Sequence, residues 1–91
     1  MEIVCHLIIS GRVQGVGFRQ FMVRTAEDLG IKGWVRNRRN GTVEAVIAGS
    51  QSAVELMIER TRRGPRQAEV RDLMIAYAQG TFEKFDLLPT L

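Results

Sequence analysis

Three glycines fall within the nine residues Gly11-Arg12-Val13-Gln14-Gly15-Val16-Gly17-Phe18-Arg19, and this stretch separates two different hydrophobic periods. Before it, Ile3, Cys5, Leu7 and Ile9 alternate with Val4, His6, Ile8 and Ser10, the period-two pattern of a strand. Both faces are rich in apolar residues, which predicts a central strand. After it, Phe18, Phe21, Met22, Thr25, Ala26 and Leu29 recur at helical spacing, and Gly30 supplies a C′ stop. The spacing predicts a helix over 20–29. Between strand and helix the glycines let the backbone take φ > 0 without a Cβ clash. Successive N–H groups can then point into one concavity, where a helix N-terminus adds its positive end. Arg19 brings planar, permanently charged donors to that terminus. Such a loop suits a tetrahedral oxyanion, which makes phosphate the expected ligand.

The remaining chain continues in alternation. Residues 31–38 read as a second strand, with Val35 and Asn37 on one face. Arg39-Asn40-Gly41 predicts a hairpin turn, because Asn-Gly is a strong turn signal. Residues 42–48 return as a third strand, with Val43, Ala45 and Ile47 inward, Thr42, Glu44 and Val46 outward, and Gly49 as its break. Ser52 and Glu55 have capping-box spacing for a second helix. Its stripe is Val54, Met57, Ile58 and Thr61, and Gly64-Pro65 ends it. Residues 67–77 form a fourth strand whose alternation slips between Val70 and Leu73, predicting a bulge. Gln79-Gly80 turns the chain into a short last strand, 84–88, whose pairing the pattern leaves open. The expected fold is α+β: a ferredoxin-like α/β sandwich, βαββαβ with an extra C-terminal strand, its antiparallel sheet covered on one face by two helices. With 91 residues and no repeat or linker, residues 1–91 are expected to form a single domain.

Composition narrows the function classes. Hydrophobic residues make up 45% of the chain, enough for one core. No apolar run approaches the roughly 20 residues that span a bilayer, and Met1-Glu2-Ile3 carries no basic region before its apolar stretch. The lone Cys5 has no disulfide partner within the chain and reads as a small strand residue. These features predict a cytoplasmic protein without a membrane partner. The net charge is +3, with eleven arginines among the thirteen bases; this favours anionic small molecules without marking a nucleic-acid binder. Arg60, Arg62, Arg63 and Arg66 lie near the end of the second helix, where cations complement the dipole. Arg36, Arg38 and Arg39 flank Asn37, and two roles fit them: added positive field at a site, or solvated loop cations.

The motif Gly-x-Val-Gln-Gly-Val-Gly-Phe-Arg resembles that of the acylphosphatase family. The likeness extends through Gly33-Trp34-Val35-Arg36-Asn37, then Asn40-Gly41-Thr42-Val43-Glu44, and then Gly64-Pro65-Arg66-x-Ala68-x-Val70. It runs from about Ile3 to Val70, with a weaker echo at Phe85-Asp86-Leu87. The resemblance implies the same ferredoxin-like fold. It also implies an enzyme that hydrolyses the carboxyl–phosphate bond of acyl phosphates. Arg19 would hold the phosphoryl group together with the loop Gln14, Gly15, Val16, Gly17 and Phe18, while Asn37 would orient the attacking water. Read from the residues alone, Arg19 is a defensible anion ligand, whereas Asn37 is only a polar candidate at a strand end.

The chemistry fits the inventory. The carboxylate of an acyl phosphate leaves readily, so no strong general acid is needed; the work is charge neutralisation and aim. His6 is the only histidine, on the strand face opposite Leu7 and Ile9, and reads as structural or surface. One Cys, one His and no close acidic cluster predict neither metal nor cofactor. Cys5 lacks a Cys-x5-Arg loop for a phosphocysteine route, and the glycine loop lacks the Gly-Lys-Ser/Thr ending of a nucleotide P-loop. With no side-chain base evident, a phosphate oxygen of the substrate is expected to take the water proton. Inorganic phosphate is expected as product and competitive inhibitor. Gln14 reads as a loop-shaping residue, Thr42 as hairpin support and Trp34 as packing. An RNA-recognition module is the first alternative, disfavoured because strands one and three carry no aromatic platform. An amino-terminal domain of a carbamoyl-transferring maturation protein is the second; the stretch shows none of that class's zinc-finger cysteines. A stand-alone, monomeric hydrolase is the expectation.

Overall fold

The computed structural model describes residues 1–91. Seven elements follow in order: β1 (Glu2–Arg12), α1 (Phe18–Leu29), β2 (Lys32–Asn37), β3 (Val43–Ser50), α2 (Gln51–Arg63), β4 (Glu69–Tyr77) and β5 (Phe85–Leu87). They build one five-stranded sheet in the order β4-β1-β3-β2-β5. As its alternation indicates, β1 is interior, antiparallel to β3 on one side and to β4 on the other. Cys5, Leu7, Ile9, Val35, Val43, Ala45 and Ile47 share the face on which both helices pack. There they meet Phe18, Met22 and Ala26 of α1 and Val54 and Met57 of α2 in one core. Buried Thr61 satisfies its hydroxyl by donating to the Met57 carbonyl at 2.7 Å.

Several expectations are corrected in detail. The sheet is mixed, because β5 runs parallel to β2, pairing Gly33 with Phe85 and Val35 with Leu87. The chain beyond β4 reaches the opposite sheet edge, so β5 arrives in the direction of β2 and cannot close a hairpin on β4. Helix α1 begins at Phe18, two residues before the expected start, because Gly17 itself adopts the turn into the helix. β3 continues through Gly49 to Ser50, held by pairing with Glu2 and Ile3 of β1. Ser50, not Ser52, caps α2: its Oγ accepts from the Ala53 N–H at 3.2 Å. Ser52 lies within the first turn, so the Ser52/Glu55 box does not form. The bulge is where the pattern slipped. Ser10 pairs with Asp72 and Gly11 with Val70, leaving Arg71 as the extra residue.

Gly33 requires its lack of a side chain. It has φ +135°, and a Cβ there would stand 1.9 Å from the Val46 carbonyl oxygen across the β2–β3 ladder. Glycine is what fits there, where β2 pairs with β3 on one side and β5 on the other. The β2–β3 hairpin closes with the Gly41 N–H donating to the Arg38 carbonyl and the Arg38 N–H to the Thr42 carbonyl. This is a three-residue loop with Gly41 at φ +94° as the left-handed position. Asn40 Oδ1 accepts from both the backbone N–H and the hydroxyl of Thr42, which fixes the turn locally.

Candidate active site

The loop after β1 carries two glycines in the left-handed region, Gly15 at φ +73° and Gly17 at φ +77°. A side chain at either would be strained although open space surrounds both. Gly17 is the N-cap of α1 and offers no capping side chain, and no acidic residue occupies the first turn. The helical ladder starts only with the Phe21 N–H donating to the Gly17 carbonyl. None of the N–H groups from Val13 to Gln20 has an acceptor within the protein. A run of unpaired donors around a helix N-terminus is suited to binding an anion.

Several of these residues line a pocket of about 230 Å³ whose wall includes Gly15, Gly17, Phe18, Arg19, Gln20 and Asn37. Val13 and Leu87 complete it. Arg19 is half-buried and engages no carboxylate. Its charge is therefore available to a ligand. Asn37 arrives from the end of β2, on the same sheet face as Val35, and so under the start of α1. Its Oδ1 is buried without a hydrogen-bond partner. A buried carbonyl oxygen in that state is an acceptor waiting for a donor, and water is the donor that fits an amide. The geometry thus sets an anion cradle beside an acceptor that can orient a hydroxyl-bearing nucleophile.

The remaining expected loop residues serve the cradle indirectly. Val16 packs half-buried against the core. Phe18 is buried and meets Phe21 edge-on at 5.9 Å, which anchors the first turn of α1. The Gln14 side chain turns away and donates to the carbonyls of Arg38 and Thr42 at 2.7 and 2.9 Å. Gln14 and Val16 do not line the pocket. Leu87 went unrecognised in the sequence because only the parallel pairing of β5 on β2 brings it there. Gln20 was equally hidden; its place follows from α1 starting at Phe18.

Arg36 and Arg38 belong to a different arrangement. Their side chains lie on the open face of the sheet, where Arg36 Nε and Arg38 Nη1 donate to Glu44 Oε1 at 2.8 and 2.9 Å. His6 Nε2 donates to Glu44 Oε2 at 2.6 Å. Burial pushes the Glu44 carboxyl upward, but the bonds from His6, Arg36 and Arg38 and the Arg36 charge outweigh it and hold its pKa at about 2. Arg36 also stacks on Trp34, its Cζ 4.7 Å from the ring centroid. These two arginines neutralise Glu44 and do not face the anion pocket.

No group of three His, Cys, Asp or Glu side chains converges anywhere in the structure to suggest a metal site. No helix is long and apolar enough to cross a membrane.

Comparison with known proteins identifies the family. The acylphosphatase family model matches residues 5–87. An acylphosphatase of Rhodopseudomonas palustris is 48% identical, with 99% of this chain and 98% of that protein covered. A solved acylphosphatase from Coxiella burnetii superposes with a TM-score of 0.92 at 33% identity, covering 96% of this chain and 93% of that one. One from Bacillus subtilis does so with a TM-score of 0.91 at 31% identity, covering 97% and 99%. By motif, fold and relatives, the chain belongs to the acylphosphatase family, enzymes that hydrolyse the carboxyl–phosphate anhydride of acyl phosphates.

Proposed function

We propose that the pocket performs this hydrolysis by direct in-line attack of a water oriented by Asn37 on a phosphoryl group held by Arg19 and the Gln14–Phe18 loop. The observation that carries the reading is the pairing of unpartnered groups: free N–H donors from Val13 to Gln20 on one side, the buried Asn37 Oδ1 on the other. The acyl phosphate dianion enters with its phosphoryl oxygens on the N–H groups and the Arg19 guanidinium. Water donates one hydrogen bond to Asn37 Oδ1, and its oxygen bonds to phosphorus. The bond from phosphorus to the carboxyl oxygen breaks, and its electron pair leaves on the carboxylate. The second proton of the water moves to a phosphoryl oxygen, so the products are a carboxylate and dihydrogen phosphate. Charge at the phosphoryl oxygens is met by fixed donors at a helix terminus, which need no reorganisation during reaction.

Arg19 and the backbone donors supply the positive charge that a metal would otherwise bring, so catalysis is metal-independent and uses no cofactor. Inorganic phosphate, being product and tetrahedral anion, competes for the same cradle. The domain acts as a monomeric, cytoplasmic hydrolase, without nucleic-acid or membrane partners. The test is phosphate release from benzoyl phosphate, with a phosphomonoester as control, before and after exhaustive chelation. Turnover of the acyl phosphate alone, undiminished by chelator and inhibited competitively by phosphate, is expected. Loss of activity on chelation with rescue by a divalent cation refutes the metal-free mechanism.

A further inference from the structure

We propose that Gln14 is a positioning residue that fixes Asn37 relative to the phosphate cradle, an inference that rests on Asn37 orienting the water. Asn37 has no hydrogen bond through its side chain, so its aim depends on the backbone that carries it. That backbone ends β2 and enters the hairpin loop at Arg38. Gln14 sits inside the glycine loop, yet its side chain crosses to this hairpin. Both Nε2 hydrogens are used, one on the Arg38 carbonyl at 2.7 Å and one on the Thr42 carbonyl at 2.9 Å. Two carbonyls admit only the NH₂ end of the amide, so the orientation of Gln14 is determined.

The same two carbonyls close the hairpin. Arg38 O also accepts from the Gly41 N–H at 3.1 Å, and Thr42 O from the Arg38 N–H at 2.8 Å. One half-buried side chain therefore joins the loop that binds phosphate to the turn immediately after the residue that aims the water. No other side chain makes a hydrogen bond between these two segments. In-line attack depends on the separation and angle between the bound phosphorus and the water, and a misplacement of about 1 Å costs roughly a hundredfold in rate. The bridge holds that separation. It contributes little to phosphate affinity, because its donors face away from the cradle.

The experiment replaces Gln14 with Met, which keeps length and removes both donors. The Asn37 side-chain amide resonance is followed by ¹⁵N–¹H NMR, and kcat and competitive inhibition by inorganic phosphate are measured. The expected result is a shifted or broadened Asn37 amide signal and a kcat lowered roughly ten- to a hundredfold, with the inhibition constant changed less than about twofold. In the Asn37→Ala background, Gln14→Met should cause no further loss of kcat, since the residue it positions is gone. An unmoved Asn37 signal, or an equal proportional loss in both backgrounds, overturns the proposal. If Gln14→Met does not fold, Gln14→Asn keeps the polarity but falls one methylene short of both carbonyls, and the same readings apply. Should Asn37→Ala alone retain full kcat, the water-orienting role fails, while the NMR shift still decides whether Gln14 sets the geometry of Asn37.

Discussion

Arg19 and Asn37 face one pocket with unlike chemistry, and their variants should fail differently. Arg19 carries the only side-chain charge in the pocket wall. Arg19→Gln should lose roughly 3–4 kcal/mol of transition-state stabilisation, about a hundred- to thousandfold in kcat/KM, and should weaken inhibition by phosphate. Arg19→Lys should recover only part, since the point charge lacks the planar fork. Asn37 is neutral and, in the proposed mechanism, addresses the water. Asn37→Ala should therefore depress kcat by about a hundredfold while the phosphate inhibition constant moves far less. Steady-state kinetics with phosphate as competitor separates the two; equal damage to both constants by both variants would remove the division of roles. The sequence exposed these residues unequally. Arg19 stood out because glycines and a helix start surround it. Asn37 had no local signal, since its unpartnered Oδ1 arises only when β2 is folded beneath α1. Gln14 was legible as a loop former but not as a bridge, because its two acceptors lie 24 and 28 residues away.

At the scale of elements, the candidate site is the meeting of one helix start with one strand end, and sheet register decides whether they meet. Period-two alternation revealed β1 to β4, and the slip near Arg71 located the bulge, because both are local properties of the chain. The pairing of β5 was not legible: a three-residue strand carries no period, and its partner is set by the path of the segment before it. The start of α2 is not legible for a related reason: two serines stand within capping distance, and the end of β3 selects the first. Gly33 is the residue on which this register leans. Gly33→Ala forces a Cβ against the Val46 carbonyl at an unfavourable φ, so β2 must shift or tilt. The expected cost is at least about 2 kcal/mol, read as a lowered denaturation midpoint. Because Asn37 ends the displaced strand, kcat should fall even well below the melting temperature, while phosphate binding at the α1 terminus persists. An Ala variant with unchanged stability would show that the close β2–β3 approach is not needed.

Over the whole molecule the two faces of the sheet are stabilised by different physics. One is sealed by α1 and α2 in an apolar core; the other carries Glu44 at its centre, buried enough to need partners and supplied from two neighbouring strands. His6 of β1 and Arg36 of β2 reach it, joined by Arg38 just beyond β2, so the carboxylate links three strands of the sheet. Removing it should weaken folding as a unit. Glu44→Gln keeps one oxygen for the two arginines but removes the negative charge that balances them and puts an amide donor against His6, and a cost of about 2 kcal/mol near neutral pH is expected. The pH dependence has a definite sign. The Glu44 pKa is lowered from 4.5 to about 2 in the folded chain, so the unfolded state binds the proton more readily. Its stabilisation is fully present above the unfolded value and is lost as pH falls through the folded one. Denaturant unfolding of both proteins should show a stability gap that narrows steadily from about pH 5 toward pH 2. Carboxylates common to both chains cancel in that difference. A gap that stays constant across the acid range would mean that Glu44 contributes through packing and not through its charge.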